Sequence, residues 1–195
     1  MEIYNKYKLS AEDKMMDASN LYAWLEERKE ASSYVNAHVN QACQLERIFY
    51  ILDGTLDLWA IAPNNNIALY DTTANTNRAA MKLGCGTTVD KNGKTRLLFV
   101  SLLVYQDADS FQWVFEQALT AFHTPPRVIF TDSDKAMSKA IAIVWPQETG
   151  TIHMLCTWHM SKNHFTNMKP TAGKAWHGFL RRWWQICKNT DINSR

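Results

Sequence analysis

The chain has 195 residues, of which 46% are hydrophobic and 12% aromatic, and its formal net charge is only +2. This length predicts one folded domain with an appendage, and this apolar content is enough for a buried core. The longest apolar run, at 97–105, is too short to cross a bilayer, and the first residues lack the pattern of a secretory signal. We therefore expect neither a membrane partner nor secretion.

The four cysteines, at positions 43, 85, 156 and 187, lie far apart in the sequence. Without an export signal, such spacing is typical of reduced thiols rather than of a disulfide framework. We therefore expect a nuclear or cytoplasmic protein.

Charge is distributed unevenly along the chain. Up to His159 there are 14 Lys/Arg and 18 Asp/Glu, whereas from Met160 onward there are seven Lys/Arg and one acid, Asp191. A basic end beside an acidic block indicates a polyanionic partner, and a solvated basic tail is the alternative.

The first elements are predicted from short local patterns. Apolar side chains recur at helical spacing over 10–30, where Ser10 and Asp13 resemble a capping box. Alternation predicts a strand at 33–39, and a second strand at 45–52 ends at the turn Asp53-Gly54.

The central block begins with three predicted strands, at 67–73, 81–89 and 95–105. Gly84 and Gly86 weaken the middle strand, since glycine has no side chain to contribute to a sheet. Asn92-Gly93 predicts a tight hairpin turn between the second and third strands, because both residues accept a positive φ at low cost.

Helices and strands then alternate. A helix is predicted at 107–122, capped by Asp107 or Asp109, because apolar side chains recur there at i, i+3, i+4 and i+7. The later predictions are a strand at 127–131, a helix at 135–145, a short strand at 152–156 and a helical tail.

This order predicts an α/β fold with a mixed sheet. A three-strand meander followed by β-α-β crossovers places helices on the faces of such a sheet. That arrangement is the ribonuclease H-like topology with flanking helices.

Two aspartates lie at the ends of predicted buried strands. Asp71 follows Ile67-Ala68-Leu69-Tyr70, and Asp132 follows Val128-Ile129-Phe130-Thr131. Paired carboxylates repel each other unless cations lie between them, and paired Mg²⁺ ions support attack on a phosphodiester. The alternative is that both aspartates are only caps, although Asp134 is the better cap for the helix that follows.

The Cys156-x-x-His159 pair has the spacing of half a zinc site. A complete site needs four ligands, and although His153 and His164 lie nearby, no second pair completes it. We therefore interpret Cys156 as a structural cysteine with His159 near the catalytic face, and we do not expect zinc.

The segment 174–188 combines aromatic side chains with cations. Aromatic and basic side chains together are typical of surfaces that bind the nucleic-acid backbone. An amphipathic helix with its tryptophans in a core is the alternative, and binding to a membrane surface ranks last. The candidate nucleic-acid contacts are Lys174, Arg181, Arg182 and Lys188.

Three motifs together resemble the Mutator-like element (MULE) transposase domain, which plant far-red-impaired-response regulators share. They read YDTTANTN at 70–77, FTDSDKAM at 130–137 and HMLCTWHMSKN at 153–163. The helix block at 109–115 and the stretches at 17–21 and 45–50 also fit that family's pattern. The resemblance covers roughly 15–188.

The resemblance implies a DDE-type transposase that cleaves and joins DNA with Mg²⁺ or Mn²⁺. It places the family's first acid on Asp71, its second on Asp132, and its Cys-x-x-His on Cys156 and His159. The implied partners are DNA carrying transposon terminal inverted repeats and, as a further candidate, a second copy of the chain. The family's N-terminal zinc-finger module has no counterpart here.

The chain departs from the family at the third acid, which lies on a helix beyond an inserted helical region. After Glu148 the sequence has a single acid, Asp191, in a context that does not resemble that helix. We therefore expect an incomplete or inactive catalytic domain, and the alternative is a non-catalytic DNA-binding or transcription-regulatory protein derived from a transposase. The expected organisation is elements preceding the core at 1–60, the transposase core at 61–165, and the start of a truncated helical insertion at 166–195.

Overall fold

The computed structural model describes residues 34–42, 44–51, 54–61 and 67–188, together with Ala23 and Glu27. Apart from those two residues, which are helical, the helix expected at 10–30 lies outside the described residues. No helix in these described ranges is long and apolar enough to cross a membrane.

Seven strands form one sheet. Their bounds are β1 Val35–Val39, β2 Leu45–Ile51, β3 Ile67–Thr73, β4 Lys82–Val89, β5 Thr95–Leu103, β6 Val128–Thr131 and β7 Ile152–Leu155. The spatial order is β1-β2-β5-β4-β3-β6-β7. The pairs β3–β4, β4–β5, β2–β5 and β1–β2 are antiparallel, whereas β6 runs parallel to β3.

Helices occupy the connections between these strands and follow the last one. Their bounds are α1 Thr55–Ile61, α2 Ala108–Phe122, α3 Lys135–Val144, α4 Thr157–Asn167, α5 Lys169–Ala172 and α6 Trp176–Lys188. The meander β3-β4-β5 is followed by α2, β6, α3 and β7, which confirms the ribonuclease H-like mixed sheet expected from the sequence.

The main core lies on the face of the sheet that α2 covers. Tyr70 of β3 is 2% exposed, and its ring meets Phe111 and Phe115 of α2 edge-on at centroid distances of 6.3 and 5.3 Å. Met137 and Ile141 of α3 belong to the same cluster. Because strand side chains alternate between faces, Asp71 lies on the opposite face of β3 from Tyr70.

The helix caps are also decided in the structure. The Asp107 side chain accepts a hydrogen bond from the Ser110 backbone N–H at 2.8 Å, so Asp107 rather than Asp109 caps α2. At the other end His123 adopts a positive φ of 60°, and its N–H donates to the Leu119 carbonyl. Such caps satisfy backbone groups that a helix leaves without partners at its ends.

The short helix α1 was not anticipated from the sequence. Trp59 is 4% exposed, its indole Nε1 donates to Thr124 Oγ1 at 3.1 Å, and its ring lies 5.2 Å from that of Phe122. A helix of seven residues is too short to show a period, and it is stabilised by these contacts with distant residues. The predicted strands, and the helices predicted at 107–122 and 135–145, agree with the observed ones to within two residues at each end.

The chain divides into two compact units, Met1–Met154 and Leu155–Arg195. Within the second unit, Trp183 Nε1 of α6 donates to Ser161 Oγ of α4 at 2.9 Å. Trp176 is 4% exposed and its ring contacts those of Phe165 and Phe179. This unit therefore has a small aromatic core of its own.

Candidate functional site

Asp71 and Asp132 lie on neighbouring elements at one end of the sheet. Asp71 is exposed and belongs to β3, whereas Asp132 is half-buried and directly follows β6. Since β3 and β6 are adjacent and parallel, their carboxyl ends meet at the same edge of the sheet.

The register of β3 and β6 matches the spacing of the two aspartates. Ile67 pairs with Val128, and Leu69 pairs with Phe130, so paired residues are separated by 61 positions in the chain. Asp71 and Asp132 are separated by the same 61 positions. The paired residues end at Leu69 and Phe130, and Asp132 directly follows β6. If the register continued for two more residues, Asp132 would stand level with Asp71 at the strand spacing of about 4.8 Å.

Each aspartate also makes a local hydrogen bond. Oδ1 of Asp71 accepts from the Thr72 backbone N–H at 2.9 Å, and Oδ1 of Asp132 accepts from the Asp134 backbone N–H at 3.1 Å. The Asp134 side chain caps α3 by accepting from the Met137 N–H at 2.9 Å. Asp134 therefore takes the capping role that was the alternative for Asp132.

Cys85 lies directly opposite Asp71 in the β3–β4 ladder. Burial raises the pKa of the Cys85 thiol, and the neighbouring charge of Asp71 raises it further. The thiol is therefore neutral at pH 7. A neutral thiol is a poor ligand for Mg²⁺ and Mn²⁺, which prefer oxygen ligands such as those of Asp71.

Two polar side chains form hydrogen bonds with the chain near Asp71, and sequence reasoning missed both. Asn77 closes the loop after β3, because its amide donates to the Met81 carbonyl at 2.7 Å and accepts from the Met81 N–H at 3.1 Å. Gln106 Nε2 donates to Thr72 Oγ1 at 2.7 Å. Asn77 lies within the motif at 70–77, so its place in that motif could have marked it as important. Nothing in the sequence distinguishes Gln106.

Thr131 and His153 form a second contact that sequence reasoning missed. Thr131 is 1% exposed, and its Oγ1 lies 2.7 Å from His153 Nε2. The sequence feature that could have drawn attention to Thr131 is its position, because it is a polar residue at a core-facing position of an apolar strand and stands next to a candidate catalytic aspartate.

The arrangement fits a cation held by two carboxylates. Two acidic side chains set level on adjacent strands would repel each other without one. No group of three or more His, Cys, Asp or Glu that could hold a metal occurs among the residues that the structure describes. Among the described residues, Asp71 and Asp132 are therefore not part of any cluster of three metal-ligating side chains.

Cys156 and His159 are placed at the start of α4. Cys156 is the N-cap residue of that helix, and its carbonyl accepts from the Met160 N–H at 3.0 Å. The His159 ring meets the Trp158 ring edge-on at 4.7 Å. The structure therefore gives both residues local contacts within the second unit.

The second unit presents exposed cations and aromatic rings. Trp158 is 59% exposed, and the Lys162 ammonium lies 5.4 Å from the centre of its ring. Lys174, Arg181 and Arg182 are exposed, and α6 carries Lys188 at its end. The sequence has no acidic residue between Gly150 and Lys188. The packing of Trp176 shows that this segment also contributes to a core, so the two interpretations of it are compatible.

Comparison with known proteins identifies the domain. Residues 67–163 match the MULE transposase domain family. The chain carries a MULE transposase domain. Over 113 residues the chain is 33% identical to "Protein FAR1-RELATED SEQUENCE 5" of Arabidopsis thaliana, a match that covers 57% of this chain and 13% of the relative.

Two solved structures show weak similarity to the chain that carries the MULE transposase domain. The magnesium complex of the HTLV-2 integrase catalytic core domain, in its trimeric form, has a TM-score of 0.35 and 18% identity, covering 53% of this chain and 66% of that one. The Drosophila P element transposase strand transfer complex has a TM-score of 0.33 and 11% identity, covering 75% and 36%.

The matched range of the MULE transposase domain contains Asp71, Asp132, Cys156 and His159. It ends at residue 163, before the candidate nucleic-acid contacts on and near α6. The family match therefore covers the end of the sheet and the start of α4, and it does not extend to the later basic residues.

Proposed function

We propose that this chain supplies the core of a DDE-type DNA transposase, with Asp71 and Asp132 as the carboxylates that hold a divalent cation. The observation that carries the proposal is the register of β3 and β6, which matches the spacing of the two aspartates. Membership of residues 67–163 in the MULE transposase domain family supports it.

The chain's own contribution is to hold two acids in place. Asp71 is set by its pairing in β3, and the local bond from Asp134 N–H orients the Asp132 carboxylate. A Mg²⁺ or Mn²⁺ ion held by Asp71 and Asp132 would supply Lewis-acid stabilisation of the negative charge that develops on a phosphodiester under attack. Because the described residues provide two acids and the family resemblance implies three, we propose weak cation binding and DNA nicking near background for this chain.

The proposed substrate is DNA that carries transposon terminal inverted repeats, with the nucleus as the site of action. A second copy of the chain is a further proposed partner. The proposed organisation keeps residues 61–165 as the core, with 1–60 preceding it and 166–195 beginning a helical insertion.

Mn²⁺ titration by calorimetry tests the proposed metal site. Replacing both acids, as Asp71→Asn with Asp132→Asn, should weaken Mn²⁺ binding by more than about ten-fold, because even partners outside the metal's own ligands contribute that much. The matched control is Asp57→Asn with Glu148→Gln, which removes two exposed carboxylates elsewhere and should leave binding unchanged. No Mn²⁺ binding by the folded wild-type chain, or equal binding by both double variants, would contradict the proposal.

A second candidate function is DNA binding without catalysis, as in a regulatory protein derived from a transposase. The observation that favours it is the composition of the second unit. Among the described residues of that unit, Trp158, Arg181 and Arg182 are exposed and none is acidic. Cations that neutralise phosphates release counterions, so binding through them depends steeply on salt. DNA binding that survives Asp71→Asn, in a chain that binds no Mn²⁺, would favour this function.

Salt dependence measures the contribution of the basic helix. Replacing Arg181 and Arg182 with alanine should weaken DNA binding regardless of sequence, and should reduce the slope of log K against log[salt] by about 1.8 if both contact phosphates. The control is Lys91→Ala with Lys94→Ala, two exposed cations of the β4–β5 hairpin, which changes net charge equally. Fluorescence anisotropy over a salt series gives both slopes, and equal slopes for the two variants would exclude α6 as a DNA contact.

A further inference from the structure

Thr131 links the end of β6 to β7. It is the last residue of β6 and is almost fully buried, at 1% exposure. Its hydroxyl donates to the Asp132 carbonyl at 2.9 Å and lies 2.7 Å from His153 Nε2. One buried hydroxyl therefore joins a side chain of β7 to the main chain of Asp132.

The donor in the hydrogen bond between Thr131 and His153 follows from the single hydrogen of the Thr131 hydroxyl. A threonine hydroxyl has one hydrogen, and here the Asp132 carbonyl accepts it. Thr131 Oγ1 can then only accept from His153, so the hydrogen must be on Nε2. Burial lowers the pKa of His153, which favours the neutral ring, and a neutral ring with its hydrogen on Nε2 leaves Nδ1 without one.

The linkage restrains Asp132 from the main-chain side. Holding the Asp132 carbonyl fixes the peptide that follows it, and the bond from the Asp134 N–H holds Oδ1 of the same residue. Asp132 stands just beyond the last residue of β6, so the ladder of that strand does not include it. The hydrogen bonds from Thr131 and Asp134 take the place of ladder bonds at this position.

We propose that His153 and Thr131 are positioning residues for Asp132, with His153 acting through the Thr131 hydroxyl on the Asp132 carbonyl. This inference rests on the proposed function, because its consequence is the placement of one of the two proposed cation ligands. The geometry gives His153 a role separate from the Cys156-x-x-His159 motif that follows it in the sequence.

Calorimetric Mn²⁺ titration of paired variants tests the inference. Thr131→Val keeps the shape of the side chain and removes the hydroxyl, and should weaken Mn²⁺ binding about ten-fold, as for other partners outside the metal's own ligands. Thr131→Ser keeps the hydroxyl and should bind within about two-fold of the wild type. His153→Leu should behave like Thr131→Val, whereas His153→Gln, which retains a side-chain N–H donor, should recover most of the loss.

The paired variants separate positioning from general stability. Thermal unfolding of all four should accompany the titrations, and because His153 is only half-buried its variants remain informative if Thr131→Val does not fold. Wild-type binding that Thr131→Val and His153→Leu both retain would overturn this inference alone. A folded wild-type chain that binds no Mn²⁺ would overturn the proposed function and this inference with it.

The proton on Nε2 can be tested without metal. Nitrogen-15 NMR of the imidazole rings should show His153 as the neutral form with hydrogen on Nε2, and Thr131→Val should change that signal. A His153 ring with hydrogen on Nδ1 in the wild-type chain would contradict the hydrogen-bond direction on which the inference depends.

Discussion

A Gly86→Ala chain is expected to lose about 3 kcal/mol of its free energy of unfolding, near the upper end for overpacking a core. A Cβ at position 86 would overlap with the Phe99 ring, which is 5% exposed. That ring lies 4.8 Å from the Phe49 ring and 5.9 Å from the Tyr70 ring, so it has no free space into which it can move. For a chain of this size, the melting temperature should fall by roughly 6–12 °C.

Gly178→Ala is the matched control for this substitution. Gly178 lies inside α6, where a Cβ would meet nothing within 4 Å. Alanine favours a helix over glycine by up to about 1 kcal/mol, so this variant should be neutral or slightly stabilised. Calorimetric melting of the variants and the wild type makes the comparison. An unchanged melting temperature for Gly86→Ala would show that the core can expand around β4.

Phe115→Ala is expected to cost about 3–5 kcal/mol, because it removes a fully buried aromatic ring and leaves a cavity. Phe115 of α2 packs against both the sheet and the end of α3, since its ring lies 5.3 Å from that of Tyr70 and 5.0 Å from that of Trp145, the C-cap of α3. The loss should be measurable as a reduced midpoint in urea unfolding with little change in slope.

The neighbouring residue on α2 supplies the control for Phe115→Ala. Glu116 is exposed and accepts a hydrogen bond from Gln112 Nε2 at 2.8 Å. Glu116→Ala should change stability by less than about 0.5 kcal/mol, as is usual for surface positions. Equal losses for the two variants would mean that α2, and not the Phe115 contacts, accounts for the effect.

The glycines of β4 show how local and tertiary information differ. By local propensity, Gly84 and Gly86 weaken a strand. In the structure both stand on the core face, where a Cβ at 84 would overlap with the Tyr70 hydroxyl and the Ser101 hydroxyl. The two hydroxyls are hydrogen-bonded at 2.8 Å, so the space left by Gly84 accommodates a buried polar pair. Tertiary contacts thus explain residues that propensity alone counts as unfavourable.

Much of the candidate site could be predicted because strand ends are visible in the sequence. Asp71 and Asp132 each follow an apolar run, and Asp134 stands where a helix cap is expected. The contact between Thr131 and His153 could not be predicted in the same way, because it joins residues 22 positions apart on different strands. Helix α1 was missed for a related reason, since its stability depends on Trp59 reaching Thr124.

The sequence by itself determined the order of strands and helices from β3 to β7, the ribonuclease H-like class and the two strand-end aspartates, because periodicity, turn residues and caps are local properties of the chain. Only the tertiary structure decided where β1 and β2 join the sheet, the register of β3 against β6, and the hydrogen bonds that restrain Asp132. Register and buried hydrogen bonds depend on the packing of residues distant in the chain, and a pattern of neighbouring residues does not contain that information.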